Sequence, residues 1–112
     1  MIPSRTLTRL LLPLALVALA ACTATGPPVQ EMSDARQAIA AAREAGAATL
    51  DAAGLRTAES RLAEAEIQLN QRMYWDAKKL ALGAKESAIT SLLRSRSLRE
   101  NGAAEGSGTA SP

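Results

Sequence analysis

Histidine and phenylalanine are missing from this sequence, and cysteine, tryptophan and tyrosine each occur once, as Cys22, Trp75 and Tyr74. Metal sites built on several thiolates or imidazoles, and nucleophile-plus-histidine catalysis, therefore lack their raw materials. No intramolecular disulfide can form. With aromatics at 2% of 112 residues there is little bulk to fill a core, and a chain this short buries a limited core in any case. These shortages argue against a deep catalytic cleft. The chain is read as a non-enzyme, with no cofactor, metal or small-molecule substrate expected.

A surplus of charge is also lacking once the chain is divided. The formal net charge is +2, but Arg5 and Arg9 belong to an N-terminal segment that reads as a cleaved leader, and without them eleven basic residues face eleven acidic ones. Interspersed signs leave no electrostatic footprint for a phosphate backbone, and no aromatic cluster is present to stack bases. Nucleic acid is not an expected partner.

The leader is legible in its parts. Residues 1–9 carry Arg5 and Arg9 and no acid, and residues 10–21 form an apolar run of 12 residues ending in Leu19-Ala20-Ala21-Cys22. A membrane-spanning helix needs about 20 apolar residues, so the run fits a signal-peptide h-region rather than a permanent anchor. Leu19-Ala20-Ala21-Cys22 resembles the lipobox of bacterial lipoproteins. That resemblance implies a diacylglyceryl group on the Cys22 sulfur, cleavage after Ala21 and acylation of the freed amine. The chemistry suits the residue types, because a thiol is the nucleophile able to take the lipid near neutral pH. Two or three acyl chains, each methylene contributing about 0.8 kcal/mol, make a durable membrane attachment. Thr23 follows where Gram-negative lipoproteins retained in the inner membrane commonly carry Asp. By the same resemblance the destination is the periplasmic face of the outer membrane.

Beyond Cys22 the chain divides by composition. Residues 22–28 form a small, Pro-rich lipidated tether, and residues 29–99 form an alanine-rich helical domain. Residues 100–112 have no large apolar side chain and are expected to be a disordered tail. Within the domain, Met32, Ala35, Ile39 and Ala42 recur at 3- and 4-residue steps ahead of Gly46, a stop signal. Leu55, Ala58, Leu62, Ala65 and Leu69 do the same over about 52–71. Over about 74–99, Tyr74, Ala77, Ala81, Ala84 and Ala88 make a stripe flanked by Leu80, Ile89 and Leu92. Asp51 is placed to cap the second helix, and the short link Asn70-Gln71-Arg72-Met73 makes the second and third an antiparallel pair. The expected fold class is all-α, either an antiparallel helical hairpin or a small three-helix bundle.

The pieces Val29-Gln30-Glu31-Met32, Ala35-Arg36-Gln37-Ala38-Ile39, Leu55-x-x-Ala58-x-x-x-Leu62 and Tyr74-x-x-Ala77-x-x-Leu80-Ala81 resemble a family of short, alanine-rich envelope lipoproteins known only as a domain of unknown function. The resemblance covers about two thirds of the chain and implies a fold and an address, not an activity. Some members join this unit to a peptidoglycan-binding domain of the outer-membrane-protein-A type, whereas a tail is expected here. The Ala-Ser-Pro ending also lacks the lysine through which the major murein lipoprotein is linked to the cell wall.

Three groups of side chains invite a chemical reading. Glu59, Glu64, Glu66 and Asp76 can serve acid–base or metal chemistry if they converge, but Arg56, Arg61, Lys78 and Lys79 favour exposed pairs along each helix. Arg94, Arg96 and Arg99 can meet anionic headgroups, although cations near a helix C-terminus follow from the dipole alone. Met73, Tyr74 and Trp75 either close the end of the bundle or form a protein-contact or membrane-grazing patch. Together these readings predict a lipid-anchored helical adaptor that meets another envelope protein. A structural spacer or a self-associating homo-oligomer is the alternative.

Overall fold

A computed structural model describes residues 26–108, and among these residues every regular element is a helix. Helix α1 spans Val29–Glu44, a single turn α2 spans Ala47–Leu50, α3 spans Ala52–Asn70 and α4 spans Tyr74–Gly108. The all-α class is as expected, and α1 completes a three-helix bundle on the α3–α4 hairpin. The leader, Cys22 and residues 109–112 lie outside the described residues.

Directions follow from which side chains meet. Arg36 pairs with Glu66 and Arg43 with Glu59, so α1 and α3 run in opposite senses. Arg61 of α3 reaches Gly83 and Ser87 while Asp51 reaches Arg94, so α3 and α4 are also antiparallel. Glu31 meets Lys78, Asp34 meets Lys85 and Ala45 meets Arg99, which makes α1 parallel to α4. Both α1 and α3 pack chiefly on α4, the spine of the bundle, and touch each other much less.

Alanine dictates this arrangement. Ala77, Ala81, Ala84, Ala88, Ser91 and Ser95 recur on α4 at 4- and 3-residue steps and are all fully buried. Side chains this small let helix axes approach to about 8 Å. Larger groups from the partners fill the space. Ile39, Ala42, Ala47, Leu55 and Ala58 pack with Ala88 in one cluster, and Met32 and Ala65 pack with Ala81 in another, with Leu62 bridging the two. Leu55, Leu62 and Leu69 thus contribute to the core as the spacing predicts, Leu62 and Leu69 only partly buried. Ile89 does not flank the stripe as expected: it points outward with Leu82 and Leu93. Ser91 and Ser95 extend the stripe because a hydroxymethyl group is scarcely larger than the methyl it replaces.

Four further expectations are corrected. Residues 101–108, read as disordered tail, continue α4, because elongating an existing helix needs no new nucleus and Ala103, Ala104 and Glu105 favour it. Pro28, assigned to the tether, is buried, and its carbonyl accepts from the Met32 amide at 3.0 Å. It is the first fixed point of α1, its locked φ suiting a helix entry. Asp51 stands at the N-cap of α3 but makes no capping hydrogen bond with its side chain. Finally, Glu66 and Glu59 find their bases in Arg36 and Arg43 of α1, and Lys78 pairs with Glu31, across helices rather than along one, since closely packed axes bring the flanking positions of neighbours together.

Candidate functional site

Because α1 and α4 are parallel and α3 is antiparallel to both, one end of the bundle gathers Val29, the Asn70–Met73 turn and the start of α4. The other gathers Gly46, Asp51 and the Arg94–Arg99 stretch. The two ends are built differently.

At the Gly46 end the chain must reverse direction within the seven residues 45–51 that lead from α1 into α3. Gly46 adopts φ 88°, a left-handed conformation that only glycine takes without strain, and its amide donates to the Arg43 carbonyl at 2.9 Å. Arg99 donates to the Ala45 carbonyl at 2.8 Å, supplying an orphan acceptor at the end of α1. A Cβ on Gly46 would come within 2.9 Å of that guanidinium. Asp51 is held nearby with its side chain only 8% exposed, 3.4 Å from Arg94, and its carbonyl accepts from the Ser91 hydroxyl at 3.5 Å. Arg94, Arg96 and Arg99 therefore do not sit at the C-terminus of their own helix, as the dipole reading supposed. They lie within α4, and Arg99 serves the C-terminus of α1 instead.

At the opposite end, the amide of Met73 donates to the Gln68 carbonyl at 2.9 Å and that of Arg72 to the Leu69 carbonyl at 3.0 Å. This is a Schellman closure, and its left-handed position is filled by Arg72 at φ 60° instead of glycine. The turn delivers the three residues singled out from sequence. Tyr74 is half-buried, Met73 is 46% exposed and Trp75 is 72% exposed. Of the residues expected to close the bundle, Trp75 does not: a ring this exposed covers no core. Beside it runs an open groove between α3 and α4, lined by Arg61, Glu64, Gln68, Met73, Asp76 and Lys79. Val29, 69% exposed, and Ile67, 54% exposed, add apolar surface at the same end.

The acidic candidates do not converge. Glu66 accepts from Arg36 at 3.0 Å, and Glu59 accepts from both Nε and Nη2 of Arg43. Among the described residues no three metal-ligating side chains come together, and no helix is long and apolar enough to cross a membrane. Asp34 has a displaced carboxyl. The Gln30 amide, donating at 2.8 Å, and then the Lys85 ammonium at 3.3 Å hold it below the ordinary carboxylate value.

Sequence reasoning missed the Asp51–Arg94 and Arg99–Ala45 contacts because they join residues more than forty positions apart. The available signal was an Asp soon after a helix-stopping Gly, read as a cap and not as a partner. Compared with known families, curated proteins and solved structures, the chain matches none.

Proposed function

We propose that this chain is a membrane-anchored periplasmic lipoprotein, tethered through Cys22 at the periplasmic face of the outer membrane, whose three-helix bundle is a non-enzymatic interaction module. The observation that carries the reading is the order of parts: a basic n-region, a short apolar run, Leu19-Ala20-Ala21-Cys22, then a Pro-rich link into a separately packed bundle. The bundle's chemistry is in keeping with it. Glu59 and Glu66 are engaged in interhelical ion pairs, while Leu82, Ile89 and Leu93 leave an apolar ridge on the outer face of α4 that another envelope protein can cover.

Mass spectrometry of the mature N-terminus tests the anchor. The expected result is a chain beginning at Cys22 with a diacylglyceryl increment; an unmodified Cys22 thiol sinks the reading. Crosslinking in intact cells tests the module. A specific stoichiometric protein adduct is expected, whereas adducts only to glycan or to a second copy would favour a spacer or homo-oligomer. Separation of the two membranes checks the address.

A further inference from the structure

The end of the bundle that exposes Trp75 is also the end from which the chain leads back to Cys22. Gly26, the first described residue, is four positions from Cys22, and four residues reach at most about 14 Å when fully extended. A lipid on Cys22 would therefore hold this end within about a headgroup layer or two of the acyl chains. The Gly46 end lies the length of α1 from this one, 16 residues or ~24 Å.

The side chains at the near end suit that position. Val29, Ile67, Met73 and Trp75 come from α1, α3, the turn and α4, so exposed apolar groups surround this end instead of lining one flank. Tryptophan is enriched where hydrocarbon meets water, because its ring is apolar and its N–H needs a polar partner. Arg72, in the turn before Trp75, and Lys79, four residues after it on α4, are both exposed, and their long stems can lie along apolar surface while the charged heads reach lipid phosphates. At the far end Leu50 and Leu98, 36% and 44% exposed, are set among the arginines that close the bundle.

We infer that the Val29–Trp75 end of the bundle docks on the lipid interface of the leaflet that holds the anchor. Trp75, Met73, Val29 and Ile67 enter the headgroup–acyl boundary, and Arg72 and Lys79 meet phosphates. The inference rests on the anchoring proposed for Cys22. Its consequence is orientation: a short tether fixes distance but not attitude, and a docked end stands the bundle upright, so that the Leu82–Leu93 ridge and the far end of α4 face the periplasm.

Trp75 is the only tryptophan, which makes it its own reporter. The full mature chain is reconstituted in phosphatidylethanolamine–phosphatidylglycerol vesicles, and three quantities are read: flotation with the vesicles, the mass at Cys22, and quenching of tryptophan emission by lipids brominated high on the acyl chain. A second variant, Trp75→Phe with Leu98→Trp, moves the reporter to the far end, and circular dichroism checks that its helicity is retained. The expected result is flotation with blue-shifted Trp75 emission, quenched several-fold more strongly than a tryptophan at 98. Flotation with Trp75 unquenched, or equal quenching at both positions, overturns the docking and leaves the anchor standing. An unmodified Cys22 with no flotation overturns both. A photoprobe at position 75 that captures one stoichiometric protein in cells, together with an unquenched Trp75 in vesicles, assigns the surface to a protein partner and also overturns the docking.

Discussion

The two ends of the bundle solve the same problem, reversing a helix, with opposite chemistry. At one, a glycine takes the left-handed turn, and two arginines of α4 reach back to the Ala45 carbonyl and the Asp51 carboxylate. At the other, a strained arginine takes the left-handed position, and Met73 and Trp75 are left in solvent. The first end is closed by arginines reaching back to a carbonyl and a carboxylate, whereas the second leaves apolar side chains at the surface. The most exposed apolar side chains of the bundle, Trp75 at 72% and Val29 at 69%, both lie at the second end, which is why the docking proposed above is placed there.

Breaking the closed end should have the largest effect. Gly46→Ala forces a Cβ into the left-handed region and against the Arg99 guanidinium, with loss of a charge-assisted hydrogen bond to Ala45. About 2–4 kcal/mol of destabilisation is expected, read as a lowered urea midpoint. Little change would mean that Arg99 contributes nothing to the closure. The open end should respond in the opposite sense. Arg72→Gly relieves the left-handed arginine and should raise stability by about 1 kcal/mol, the partial cost of a more flexible unfolded chain included. A loss of stability there would show that the arginine side chain, not the turn, holds the end.

Two smaller effects sharpen the contrast. Asp34 lies between the ends, and its carboxyl is held below the ordinary value by Gln30 and then by Lys85. A carboxyl depressed in the folded state adds stability that is fully present above its unfolded pKa and is lost as pH falls through the lowered folded value. The acid limb of the stability curve should therefore flatten in Asp34→Asn, seen as a smaller drop in urea midpoint between neutral pH and the acid side of the carboxylate range. Trp75→Ala should be the least consequential for folding, within about 0.5 kcal/mol of the parent in chemical denaturation, because a ring 72% exposed supports no core. A large loss would return Trp75 to the role of a bundle cap.

The difference between the ends was only half legible. The residues of the open end stand out in the sequence because Met73, Tyr74 and Trp75 are the one cluster of large side chains, and an exposed aromatic needs no partner to be noticed. Those of the closed end do not, since Arg94 and Arg99 resemble any basic helix terminus until α4 is seen to continue to Gly108.

The sequence by itself determined the helices and the faces they bury. Met32, Ala35, Ile39 and Ala42, then Leu55, Ala58 and Ala65, then Ala77, Ala81, Ala84 and Ala88, are buried as their 3- and 4-residue spacing requires. A helix's period is a local property, repeated every turn, and any stretch of sequence carries it whole. Only the tertiary structure decided that α1 lies parallel to α4, that Arg36 and Arg43 take the glutamates of α3, and that Arg99 satisfies the last turn of α1. Those pairings depend on how three axes are set against one another, and no spacing along a single helix encodes that angle or that register.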